Sequence, residues 1–153
     1  AMAAGLTVEA DAWAGMGHAL MADLTGASDT ATASQSFEID SVLTASGASL
    51  DLAHAIEQAA PYGTGFPEPV FAFASHRITF AGPVGTNHIK ATLSDGQGPS
   101  LPAIAFRAAG SPLGEALMAA RNGAPLHVAG TISINSWQGR DSVQLRILDA
   151  AKP

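Results

Sequence analysis

"PVFAFASHRITFAGPV", residues 69–84, is where this 153-residue chain turns to an apolar period of two. Phe71, Phe73, Ile78 and Phe80 are its apolar members, and the aromatic and β-branched content favours a strand. The same rhythm continues downstream. "HIKATLSD" (88–95) places Ile89, Ala91 and Leu93 on one face and His88, Lys90 and Thr92 on the other. "SLPAIAFRA" (100–108) forms a third strand. "LGEALMAARNG" (113–123) has helical spacing and an Asn-Gly stop. "PLHVAGTISINSWQG" (125–139) and "DSVQLRILDA" (141–150) then pair across "SWQGRD" as a hairpin.

Three strands, a helix and two strands is the order of the OB-fold, a five-stranded Greek-key barrel whose open face and loops bind oligonucleotides or oligosaccharides. The expected class is therefore α+β, mainly a five-stranded barrel preceded by helices and a short strand. Upstream, Thr7 caps a helix running to about Leu24, with Trp13 in its apolar stripe, although Gly15 and Gly17 weaken it. Residues 25–36 read as a loop, and "FEIDSVLT" (37–44) as a short strand. "SLDLAHAIEQAA" (49–60) is a helix with Ser49 as N-cap, Leu52 and Ile56 buried, and Pro61 as its stop. Between helix and barrel lies "APYGTGFPEPVF" (60–71), with three prolines and two glycines between Pro61 and Pro69. Prolines fix φ, so this segment reads as a semi-rigid hinge.

The chain is long enough to bury a core without disulfides, and it contains no cysteine. Thiolate metal sites are thereby excluded, and a cytoplasmic protein is expected. The 47% hydrophobic content includes 32 alanines, and no apolar run approaches the roughly 20 residues of a membrane span. No signal-peptide pattern opens the chain. Net charge is −6, but it is unevenly divided. Residues 1–69 carry nine acids and no Lys or Arg, whereas residues 70–153 carry four acids and all seven Lys and Arg, a balance of +3. Such asymmetry is a partner signal that the total conceals.

The hinge "APYGTGFPEPVF" resembles that of the RecJ family, single-strand-specific 5′→3′ DNA exonucleases, in which the stretch runs close to "PFGxGNPEPVF". Here Tyr62 replaces the usual Phe and Phe66 the usual Asn. "IKATLSDGQGPSLPAIAF" (89–106) is similar to that family's second and third barrel strands, and "INSWQGRDSVQLRILDA" (134–150) to its last hairpin. "AMAAGLTVEAD" (1–11) resembles the segment after the Gly-Gly-His motif of the family's DHHA1 domain. The resemblance implies a C-terminal piece of such an exonuclease: residues 1–48 from the end of DHHA1, 49–69 the connecting helix and hinge, and 70–153 the OB domain. It also implies that catalysis by two Mn²⁺ or Mg²⁺ ions belongs to a DHH domain that is not in this sequence. Neither a catalytic residue nor a metal ligand is assigned here, because His18, His54, His76, His88 and His127 show no paired-metal spacing with acids.

Single-strand binding needs cations along the phosphates and aromatic or guanidinium planes under the bases. Lys90 faces out from the second strand. Arg77 and His76 sit in or beside the first, and Arg107 ends the third. Trp137, beside Arg140 in the last hairpin, either stacks a base or covers the barrel mouth. Arg146 points outward onto a face the alternation does not identify. The expected DNA-binding set is Arg77, Lys90, Arg107, Trp137 and Arg140. Tyr62 and Phe66 are assigned to hinge packing, and "SDGQG" (94–98) to a turn. Two partners fit a basic barrel face: single-stranded DNA, or the acidic tail of a single-stranded-DNA-binding protein docking on it. An autonomous enzyme fits least.

Overall fold

A single strand of 14 residues, β2 (Phe71–Val84), organises the fold because its two halves pair with different neighbours. The computed structural model of the chain describes residues Glu38–Pro153, which form one compact unit. The expected helix from Thr7, Trp13, His18 and the 25–36 loop lie outside the described residues. The elements are β1 (Ser41–Val42), α1 (Leu50–Ala59), β2, β3 (His88–Ser94), β4 (Leu101–Ala105), α2 (Pro112–Ala119), β5 (Leu126–Trp137) and β6 (Arg140–Ala151).

The first half of β2 pairs antiparallel with β5, from Phe71↔Gly130 to His76↔Leu126, and the second half with β3, from Arg77↔Ser94 to Val84↔His88. The strand order β2-β3-β4-β6-β5 returns to β2, so five strands close on themselves, with β4 and β6 parallel. This is the OB barrel expected from the element order. Along the first half of β2, β3 has ended and one side of the strand is open to another partner. There β1 adds a short parallel strand, Ser41↔Phe71 and Val42↔Ala72. The Asp40 carboxylate extends that pairing by accepting the Val70 N–H at 2.8 Å.

The switch of partner occurs at Ser75, whose φ of 53° lies in the left-handed region. Register shifts there, between Phe73 and His76, and again between Ile78 and Phe80. Each shift changes which parity faces inward. Phe71, Phe73 and Ile78 are buried accordingly, but Phe80 emerges on the outer surface at 43% exposure. The core is the barrel interior, with Phe73, Ile78, Leu93, Val128, Ile132 and Leu145 fully buried and Leu117 reaching in from α2. Small residues allow the tight curvature. A Cβ at Gly130 would lie 2.3 Å from the Arg146 carbonyl oxygen, where β5 also shifts register against β6.

Both helices have a serine N-cap, that of α1 being the Ser49 expected from the sequence. The Ser49 hydroxyl accepts the Leu52 N–H, and the Ser111 hydroxyl accepts the Gly114 N–H ahead of Pro112. The second helix ends at Ala119, before the expected Asn-Gly stop. Arg121 instead forms a bridge with Ile78, and Asn122, at φ 56°, donates its N–H to the Ile78 carbonyl. The expected third strand also closes early, at Ala105, because Arg107 adopts φ 54°. Among the described residues of the expected strand at 37–44, Ser41–Val42 pair with β2.

His76 is corrected from a candidate contact to a structural residue. It is 2% exposed, and its Nε2 accepts the Ala45 N–H at 3.0 Å while Nδ1 lies 3.0 Å from the Ala74 carbonyl. One tautomer satisfies both, with the proton on Nδ1. The ring thereby pins the loop between β1 and α1 to the barrel. Helix α1 itself packs against β5 and β6. The Pro/Gly segment therefore connects two parts of one unit, and the expected boundary at 48/49 falls inside it. Tyr62 binds that segment back to the helix by donating its hydroxyl to the Ile56 carbonyl, and its ring stacks on Phe66 at 5.4 Å.

Candidate functional site

The outer surface of the barrel carries a strip that crosses four strands. Cross-strand pairing sets its rows. Gly82 of β2 pairs with Lys90 of β3, Lys90 with Ile104 of β4, and Ile104 with Arg146 of β6. Directly paired residues share a face, so Lys90, Ile104 and Arg146 stand side by side. Three strand spacings make the row about 14 Å long.

Two aromatic rings border this row. The Phe80 ring folds back along β2 over Gly82, where a Cβ would sit 3.2 Å from its Cζ. The absence of a Cβ at Gly82, the residue paired with Lys90, thus leaves room for the ring. At the other side Phe106 follows Ile104 by two residues and is 48% exposed. Its ring meets His88 edge-on at 5.2 Å, and His88 Nδ1 accepts the Arg107 N–H at 2.9 Å. That bond holds the left-handed turn that ends β4 and fixes where Phe106 projects.

A guanidinium lies over each ring. Arg121 Cζ is 5.7 Å from the Phe80 centroid, and Arg146 Cζ is 5.6 Å from the Phe106 centroid. Among the described residues the one carboxylate within 4.0 Å of a basic group is Glu57, beside His54 on α1. No described acid therefore neutralises Lys90, Arg121 or Arg146.

Of the five residues expected from sequence, the strip contains Lys90 alone. Arg77 is exposed but pairs with Ser94, four residues along β3 from Lys90. Arg107 lies beyond the end of β4, exposed. Trp137 and Arg140 pair with each other at the closed end of the β5–β6 hairpin. The two residues between them, Gln138 and Gly139, both have positive φ, the signature of a type I′ turn. Trp137 is 70% exposed and stands clear of the core. Arg146, whose face the sequence left open, belongs to the strip. The residues sequence reasoning missed are Phe80, Phe106 and Arg121. For Phe106 the signal lay in "AIAF" (103–106), where small alanines occupy the buried parity and leave Ile104 and Phe106 outside.

Two polar side chains away from the strip, Asp95 and His127, have structural partners. Asp95 accepts the Gln97 N–H in the β3–β4 turn, which holds its carboxyl below the usual aspartate range, and the Ser46 hydroxyl adds a further bond. His127 accepts the Ser75 N–H at the strand bend. Among the described residues no three His, Asp or Glu side chains come together to hold a metal ion. The ions implied by the resemblance thus have no fitting ligand set among the described residues.

The model of the RecJ OB domain matches residues 39–149 of this chain. The chain belongs to the RecJ OB-domain family. Solved structures similar to this OB domain include the Stn1–Ten1 complex of S. pombe, 18% identical over 58% of this chain and 61% of that chain, with a TM-score of 0.43. RecJ from Thermus thermophilus in complex with Mg²⁺ is 20% identical over 65% of this chain, at a TM-score of 0.41. A replication protein A heterotrimer bound to single-stranded DNA is 18% identical over 50% of this chain and 52% of that one, at 0.33. The RecJ OB domain described here spans 14% of the Thermus chain's length. No curated protein sequence matches it. No described helix is long and apolar enough to cross a membrane.

Proposed function

We propose that this OB domain holds single-stranded DNA for a RecJ-type 5′→3′ single-strand-specific exonuclease acting in DNA repair and recombination. The observation that carries the reading is the strip itself. It presents two half-exposed aromatic rings, an apolar residue between two cations, and no described carboxylate against those cations. Aromatic faces stack any base, and cations follow the phosphates, which is what sequence-tolerant single-strand binding requires. Lys90, Arg121 and Arg146 supply three phosphate partners, and Ile104 gives an apolar floor. The hairpin tip with Trp137 and Arg140 extends the contact beyond the sheet. The +3 balance of residues 70–153 supports the same reading.

In this proposal catalysis belongs to the parent enzyme, a cytoplasmic phosphodiester hydrolase using Mn²⁺ or Mg²⁺ in a separate DHH domain. The residues that precede the OB-domain match at 39–149 are, in this reading, the end of its DHHA1 domain. The OB domain's part is to bind and orient the strand, and no bond-breaking step is assigned to it. The competing reading is that the same basic surface docks an acidic protein tail, such as that of a single-stranded-DNA-binding protein.

Fluorescence anisotropy with a labelled oligothymidylate and with a labelled acidic peptide, each titrated across a salt series, separates the two. Single-strand binding with a log–log salt slope near −2, about −0.7 for each of three cations, supports the DNA reading. Peptide binding without oligonucleotide binding overturns it.

A further inference from the structure

The two exposed rings of the strip are both already occupied by a cation. Arg121 sits over Phe80 and Arg146 over Phe106, at nearly the same distance, 5.7 and 5.6 Å. The two arginines come from different elements. Arg121 follows α2, whereas Arg146 is in the middle of β6. The arrangement therefore does not follow from one local motif. Neither guanidinium has a described carboxylate within 4.0 Å, so among the described residues the ring is the charged group's partner on this surface.

A base that stacks on the side of either ring where the guanidinium lies must take that position from it. A ring cannot present one face to both. We propose that Arg121 and Arg146 are displaceable covers: in the free protein each shields its phenylalanine, and on binding the base takes the ring while the released guanidinium moves to the adjacent phosphate. This deepens the single-strand-binding reading above and rests on it.

The exchange is favourable on magnitudes alone. An exposed cation–π contact is worth less than stacking of a base on an aromatic ring. The guanidinium also gains a charged partner in place of a quadrupole. Each Phe–Arg pair then acts as a one-nucleotide unit, supplying a stacking plane and a phosphate contact that are both hidden until the strand arrives. With Lys90 and Ile104 between them, the two units stand at opposite sides of the row, which suits a contact length of about four nucleotides, the short end of the range for OB folds.

A double-substitution cycle on affinity discriminates this from a static surface. If the cover is displaced, the free protein loses an Arg–Phe contact on binding. Phe80→Ala and Arg121→Ala each remove one DNA contact but also remove that cost, which the double variant removes only once. The double variant must then weaken binding by about two- to fivefold more than the product of the two single effects, the size of one exposed cation–π contact. The cycle is measured by anisotropy of a labelled oligothymidylate on the whole 153-residue chain, with circular dichroism confirming the fold of each variant. The Phe106/Arg146 cycle provides a second, independent reading. A product equal to or larger than the double effect in both cycles overturns the displacement and leaves single-strand binding standing. A wild-type chain that binds no oligonucleotide overturns both.

Discussion

Arg146 lies with its guanidinium 5.6 Å from the ring centre of Phe106, although 40 positions separate the two residues in sequence. The contact exists because β4 and β6 are parallel, with Ile104 opposite Arg146. It joins a cation to an aromatic ring at one border of the row that Lys90 and Ile104 continue.

Lys90→Ala should flatten the salt slope of single-strand binding by about 0.7, from near −2 to near −1.4. Arg77→Ala should leave the slope unchanged, since Arg77 pairs with Ser94, about 13 Å along β3 from Lys90. Anisotropy titrations over a salt series measure both. Equal slopes for wild type and Lys90→Ala would place the phosphate path elsewhere.

Phe106→Ala should weaken binding by about 1–3 kcal/mol at every salt concentration, as loss of a stacking plane does. Trp137→Ala tests the hairpin tip in the same assay. A comparable salt-independent loss is expected if the strand passes the exposed indole. No loss at Trp137 with a full loss at Phe106 would confine the contact to the sheet.

Gly130→Ala should destabilise the fold by about 1–3 kcal/mol or more, because the new Cβ would meet the Arg146 carbonyl oxygen at 2.3 Å, and backbone on both strands must move. Urea unfolding followed by circular dichroism gives the value. A change below about 0.5 kcal/mol would mean that β5 and β6 are less closely packed at this bulge.

His76→Ala should cost about 1–3 kcal/mol by leaving the buried Ala45 N–H without an acceptor, apart from the packing lost against Phe73. Amide exchange at Ala45 should accelerate more than exchange in β3. His76→Gln, which restores an acceptor oxygen, should recover part of the loss. Unchanged exchange at Ala45 in the alanine variant would remove His76 from its pinning role.

Asp95 adds a small pH dependence whose sign follows from its hydrogen bonds. The Gln97 N–H, and then the Ser46 hydroxyl, hold its carboxyl below the usual aspartate range. A group with a depressed folded value contributes stability above its unfolded value, near 4, and that contribution is lost as pH falls through the folded value. Wild type should therefore exceed Asp95→Asn in urea midpoint at pH 6, with the gap closing below pH 4. A gap that widens on acidification would reverse the assignment.

The order of elements, and with it the barrel, is legible in the sequence because period-two patterning and helix caps are local properties. Ile89, Ala91 and Leu93 alternate inward as expected, and Ser49 caps α1 where its type predicts. Where local pattern breaks, sequence reading loses the face. Phe80 counts as core in an alternation carried on from Ile78, yet the second register shift in β2 turns it outward. His76 reads as a surface candidate beside Arg77, yet the first shift buries it under the β1–α1 loop.

The candidate site was legible only in part for the same reason. Sequence establishes that Lys90 and Arg146 face outward, that the basic residues are concentrated after residue 69, and that the hinge and hairpin motifs resemble those of one family. It does not establish which outward residues are neighbours. Lys90, Ile104 and Arg146 become one row only through the β3–β4 and β4–β6 registers, and the rings of Phe80 and Phe106 meet Arg121 and Arg146 only when the barrel closes. Side-chain periodicity is determined within a strand by the backbone pleat, whereas register between strands is determined by packing of the shared interior, which no single segment contains.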